Sequence, residues 1–168
     1  MPPAPASAVR SSARRLAAIA RLACAGACCL LAGCATQLSL HRAPKADFTR
    51  LRHVFVEHRL NDNHHLDDAI VAALQKLGYH AASGALTMMP DDTDALVTYE
   101  DVWTFDFTDH MIGLTLTVTD EHKQEPMGDA RFYRPSVTHL APDRIVQLTV
   151  ADIFPPAAAG PAAPAAKG

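Results

Sequence analysis

Two stretches in the second half of the chain alternate with a period of two residues. From Ala95 to Phe105 one row reads Ala95, Val97, Tyr99, Asp101, Trp103 and Phe105, and the other is mostly polar, with Thr98, Glu100, Thr104 and then Asp106. From Ile112 to Val118 the even positions Ile112, Leu114, Leu116 and Val118 are apolar, while Thr115, Thr117 and Thr119 face the other way. Successive side chains of a strand point to opposite faces, so this pattern predicts a sheet with one buried face. The short link Asp106–His110 suits a hairpin, and a second turn, 121–128, leads to an edge strand or strand end over 129–134, stopped by Pro135.

Around this pair the other elements are shorter. Val54-Phe55-Val56 reads as a buried strand. After the break at Asn61-Asp62-Asn63, the residues Leu66, Ile70, Ala73, Leu74 and Leu77 fall at helical spacing, with Asp67 and Asp68 in the favourable first turn. Gly78 is placed to close that helix in a left-handed cap, with Tyr79 packing back over the last turn. A weak strand over 79–83 and a loop over 84–94 follow. Pro142 fits the first turn of a last helix, whose apolar side is Ile145, Val146, Leu148, Val150 and Ile153. The order is β-α-β-β-β-β-α. Two helices are too few to cover both faces, so the expected fold is α+β: a two-layer α/β sandwich of one mixed sheet of four to five strands, with both helices on one face and the threonine-bearing side towards solvent. The first β-α-β step is expected to be a right-handed crossover.

The foldable part is roughly 48–154, long enough for one core without disulfides. Residues 35–47, with Pro44 and no periodicity, read as a tether, and 155–168, almost wholly Pro, Ala and Gly, as a disordered tail. All four cysteines lie at or before Cys34, which removes thiolate metal sites, redox pairs and cysteine nucleophiles from the domain. The N-terminal segment carries Arg10, Arg14, Arg15 and Arg21 without an acid, then an apolar run from Leu22 to Ala32. That is the layout of an export signal spanning 1–33, too short for a membrane-crossing helix.

Leu31-Ala32-Gly33-Cys34 at its end resembles the lipobox of bacterial lipoproteins. The resemblance implies cleavage before Cys34, diacylglycerol on its thiol and an acyl chain on the new N-terminus, an anchor well above the one-chain threshold for stable attachment. Ala35 stands where an Asp resembles an inner-membrane retention signal, so the resemblance points to the periplasmic face of the outer membrane in a Gram-negative cell. Loss of residues 1–33 removes four arginines and no acid, leaving 11 Lys+Arg against 18 Asp+Glu, a net of −7. Such a chain has no electrostatic grip on nucleic acid or on anionic headgroups.

Within the domain, the run Tyr99-Glu100-Asp101-Val102-Trp103-Thr104-Phe105-Asp106, with Arg134-Pro135-Ser136 and a last apolar helix, resembles a group of small uncharacterised bacterial envelope lipoproteins. These share a Tyr-x-Asp-x-Trp-x-x-Asp strand in a single α/β domain, and the likeness extends over about 48–154. It implies an envelope lipoprotein fold and brings no assigned activity, cofactor or catalytic residue.

Candidate chemistry is sparse. No Gly-x-Ser-x-Gly elbow, phosphate-binding loop, His-Glu-x-x-His or dinucleotide fingerprint occurs. The nine histidines all follow Cys34, and His58, His64 and His65 bracket a polar loop carrying Asp62, Asp67 and Asp68. Imidazole and carboxylate suit zinc, copper or nickel if the strand end and helix start converge, with His58, His64, His65 and Asp62 as candidate ligands. Against this, adjacent His64 and His65 diverge by about 100° on a helix, and Asp62 or Asn63 serves equally as a helix cap. Asp91-Asp92-Thr93-Asp94 lacks the glycine and terminal Glu of a calcium loop and reads as a connector. Asp101, on the core row, needs a partner such as Arg131, Arg134 or a histidine, or else a bulge that turns it to solvent. The expected role is therefore a non-catalytic interaction or accessory module, with a partner docked on the threonine face or added at a sheet edge. The alternative is a periplasmic metal- or small-ligand-binding lipoprotein using the His/Asp loop.

Overall fold

A short apolar run builds an interior strand of the sheet. Val54, Phe55 and Val56 are all buried, as a strand flanked on both sides requires. The computed structural model describes residues 36–135 and 140–157. The expected signal segment 1–33, Cys34, Ser136 and the tail from 158 onward lie outside the described residues. Among the described residues six strands form one open mixed sheet: β1 (Gln37–Arg42), β2 (His53–Glu57), β3 (His80–Gly84), β4 (Ala95–Asp106), β5 (Thr108–Asp120) and β6 (Glu125–Tyr133). Their spatial order is β1-β6-β5-β4-β2-β3. The β1-β6-β5-β4 part is antiparallel, and β2 runs parallel to both β3 and β4.

The strand count exceeds the expected four to five because the segment read as a tether supplies β1. Its six residues are exposed, yet they pair in register with β6 from Gln37↔Tyr133 to Arg42↔Gly128. β6 is consequently an interior strand, not the edge that Pro135 suggested. Arg42 fixes the end of β1 by donating to the carbonyls of Asp152 and Ile153, both at 3.0 Å. Those are the free carbonyls at a helix C-terminus, where a cation is favourable.

Helix α1 (Leu66–Lys76) and helix α2 (Pro142–Ile153) pack against each other and against the same sheet face. The layer between them holds Leu66, Ile70 and Leu74 of α1, Ile145, Val150 and Ile153 of α2, and the inward row Val56, Val97, Leu116, Val118 and Phe132. α1 ends as its sequence predicts. Gly78 adopts φ 93°, Gly78 N donates to Gln75 O at 3.0 Å and Tyr79 N to Leu74 O at 3.2 Å, the double bond of a glycine-closed terminus. In α2 the buried side also includes Thr149, while the expected Leu148 is half-buried against the core. The Thr149 hydroxyl donates to Ile145 O at 2.8 Å, which lets it sit in the core.

The inward row of β5 also departs from the simple alternation. The register shifts between Val102 and Trp103, so Val102 pairs with Gly113 and Trp103 with Met111, leaving Ile112 as the extra residue. Past this bulge the buried position is Met111, not Ile112. At the C-terminal side the domain runs slightly beyond 154: Ala157 N donates to Leu77 O at 2.8 Å, and Tyr79 donates its hydroxyl to Pro155 O at 2.7 Å.

Candidate functional site

The polar residues singled out in the sequence converge where β2 ends, α1 begins and β4 passes beside them. After Glu57 the chain turns through His58 to His65 before entering α1. Asp62 organises that loop. Its Oδ1 accepts from His64 N at 2.8 Å, and its Oδ2 accepts from Leu66 N at 2.7 Å and from the Tyr99 hydroxyl at 2.6 Å. Asp62 thus caps the helix from four residues upstream, while the cap position itself is His65 in the left-handed region at φ 54°. Burial pushes the Asp62 carboxyl up, but Tyr99 and the loop amides together outweigh it and hold the group below the usual carboxylate range. Tyr99 is 2% exposed, and burial together with donation to Asp62 raises its phenol far above the ordinary value.

Asp101 is met from two directions. Its Oδ1 accepts from Arg59 Nη1 at 2.7 Å and its Oδ2 from Trp103 Nε1 at 2.6 Å. The partner is Arg59, from the opposite wall of the loop, and not Arg131, Arg134 or a histidine. Arg59 also donates to Tyr99 O at 3.2 Å and lies 5.6 Å from the centre of the Tyr99 ring. The His64 ring stacks on Trp103 with centroids 3.7 Å apart and planes 22° from parallel. Tyr99, Asp101 and Trp103 therefore act as one clamp that closes the 58–65 loop onto β4. Asp106, the last residue of the motif, is exposed at the hairpin end and takes no part.

This arrangement separates the four expected metal ligands. Asp62 is committed to amides and Tyr99, His64 lies flat on an indole, and His58 pairs through Nδ1 with Asp67 Oδ2 at 2.9 Å. Among the described residues the donors that do gather are His65, Asp67 and Asp68, with one ligand atom from each within 4.8 Å of the others. Asp67 is 6% exposed, and its Oδ1 is buried without a hydrogen-bond partner. Of this trio His65 is among the ligands expected from the sequence; Asp67 and Asp68, in the same polar loop, are not singled out there because they also satisfy the ordinary preference for acids in a first helical turn.

Two other features stand apart from the clamp. A hollow of about 390 Å³ near the β3 edge is lined by His53, Tyr79, His80, Asp92 and Thr93 among others, with His53 Nδ1 3.0 Å from the Asp92 carboxylate. The end of the β4–β5 hairpin projects further. β4 pairs with β2 only at Ala95–Val97, and β5 pairs with β6 only from Gly113 onward, so the stretch from Trp103 to Met111 is paired only within the hairpin. This arm carries Phe105 at 74% and Phe107 at 94% exposure, the latter in a left-handed conformation at φ 59°.

No protein-family model matches the chain, and no curated protein matches it. Among solved structures, a point variant of the PelC dodecamer from Paraburkholderia phytofirmans superposes with a TM-score of 0.53 at 12% identity, covering 73% of this chain and 97% of that one. A second PelC dodecamer structure from the same organism gives a TM-score of 0.51 at 8% identity, covering 73% of this chain and 96% of the other. At these identities the likeness is one of fold: an open α+β sheet with two helices, spanning nearly the whole of the similar chain.

Proposed function

We propose that the chain is a lipid-anchored bacterial envelope lipoprotein, held on the periplasmic face of the outer membrane through Cys34, whose domain is a non-catalytic docking module for another protein. The hairpin arm is the observation that carries the docking reading. Two phenylalanines at 74% and 94% exposure lie two residues apart at the tip of the arm, and exposed large apolar side chains gathered in this way suit an interaction site. The partner is a protein and not the lipid surface. Asp106 and Asp109 flank Phe107, and carboxylates beside the tip oppose entry into hydrocarbon and contact with anionic headgroups. The complementary surface is an apolar pocket with a basic rim. A further copy of the chain is one such partner to test, since both PelC structures similar in fold are dodecamers.

The anchor rests on the arginine-rich export segment and on Leu31-Ala32-Gly33-Cys34. Only Ala35 and Thr36 separate Cys34 from β1, a reach of about 11 Å at full extension, so an acylated Cys34 keeps the domain close to the bilayer. The test is the intact mass of the chain extracted from membranes. The expected result is loss of residues 1–33 together with the mass of a diacylglyceryl group and an acyl chain, and release of the protein to the soluble fraction in Cys34→Ala. An unmodified mass, or a Cys34→Ala protein that stays with the membrane, contradicts the anchor.

A further inference from the structure

We propose that His65, Asp67 and Asp68 form a site for a divalent transition-metal ion of the zinc class. The site stands independently of the anchoring and docking reading. Its fixed element is Asp67. That carboxylate is 6% exposed, its Oδ2 accepts from His58 Nδ1 at 2.9 Å, and its Oδ1 is buried with no partner. A buried carboxylate oxygen without a donor is costly, and a bound cation supplies what it lacks. The histidine bond on the other oxygen is the kind of outer contact that orients a ligating carboxylate.

The other two donors stand at the surface beside it. His65 and Asp68 are exposed, and one ligand atom of each already lies within 4.8 Å of the others and of Asp67. Donors around a zinc-sized ion at about 2.0–2.2 Å stand about 3–4 Å apart, a distance that small side-chain rotations reach. The backbone between them is held in place: Asp62 pins His64 N and Leu66 N, and Leu66 is buried at 1% exposure.

Electrostatics favour the ion despite the helix start, whose partial positive charge opposes a cation. Asp62, Asp67 and Asp68 place three carboxylates in the loop and first turn, and the Arg59 guanidinium of the same loop is engaged by Asp101. One imidazole and two carboxylates suit zinc and its neighbours. Magnesium and calcium prefer oxygen donors alone. Three protein donors leave a coordination position on the exposed side for water or for a donor from outside.

The experiment is a calorimetric titration of the full-length, untagged chain with zinc chloride, its four cysteines alkylated so that they contribute no thiolate. One equivalent is expected to bind, with a rise in melting temperature that magnesium and calcium chloride do not produce. His65→Ala and Asp68→Asn, both at exposed positions, are each expected to weaken binding by about tenfold or more. These two variants keep the test decisive if Asp67→Asn fails to fold. Absence of zinc binding by the unaltered chain overturns the site. So does binding that both substitutions leave unchanged, or that is lost only on His53→Ala or His80→Ala at the far sheet edge.

Discussion

Asp62 is the residue on which the loop before α1 depends, because a single carboxylate accepts from two backbone amides and the Tyr99 hydroxyl within 2.8 Å. Its burial alone would raise its pKa, but the donors outweigh this and leave it lowered. The sign of the pH dependence follows. A group with a depressed folded pKa contributes stability that is complete above its unfolded value near 3.8 and is lost as the pH falls through the lower folded value. Asp62→Asn is expected to cost about 1–2 kcal/mol at pH 7, since a charged acceptor of several bonds is replaced by a neutral one. The difference from the unaltered chain should shrink as the pH drops below that range. Thermal melts from pH 2 to 7 measure both; a constant gap across the range contradicts the assignment. None of this pairing was legible in sequence beyond the cap itself. Tyr99 lies 37 residues away, and Arg59, the partner of Asp101, is 42 residues distant, so only the fold brings them together.

At the scale of elements, the patterns that announced themselves were local ones. Period-two alternation located β4 and most of β5, helical spacing with Gly78 located α1 and its end, and Pro142 located the start of α2. β1 escaped because its apolar row is only Leu38 and Leu40, too short to stand out as alternation, and all six of its residues are exposed. Its existence rests on pairing with β6 about 90 residues later, which periodicity does not report. The bulge at Ile112 escaped for a related reason: Met111 and Ile112 are both apolar, and only the shift against Val102 decides which one is buried. β1 can be tested through Gly128. A Cβ at that position would run into the His41 carbonyl and sit 3.2 Å from the Arg42 Cα, on the backbone of the neighbouring strand. Gly128→Ala is therefore expected to cost about 1–3 kcal/mol and to detach β1. Hydrogen exchange would then show loss of amide protection over residues 37–42 while β4 and β5 retain theirs; undisturbed protection there would contradict the pairing.

For the whole molecule, the arrangement places different tasks at different ends of one sheet. The clamp of Tyr99, Asp101 and Trp103 secures the loop at the start of α1, and beyond it the hairpin arm carries its two exposed phenylalanines away from the other strands. The open threonine side presents Thr117 to solvent on the face opposite the helices, a second surface available to a partner. The most direct measurement is photo-crosslinking in living cells, with a photoreactive amino acid placed at Phe107 of the full chain and, in a parallel strain, at Thr117. A discrete protein adduct is expected from position 107, whether with a second copy or with another protein, and it should be lost on Phe105→Ser. Adducts to lipid alone from position 107, or none from either position in a correctly localised protein, would contradict the docking reading.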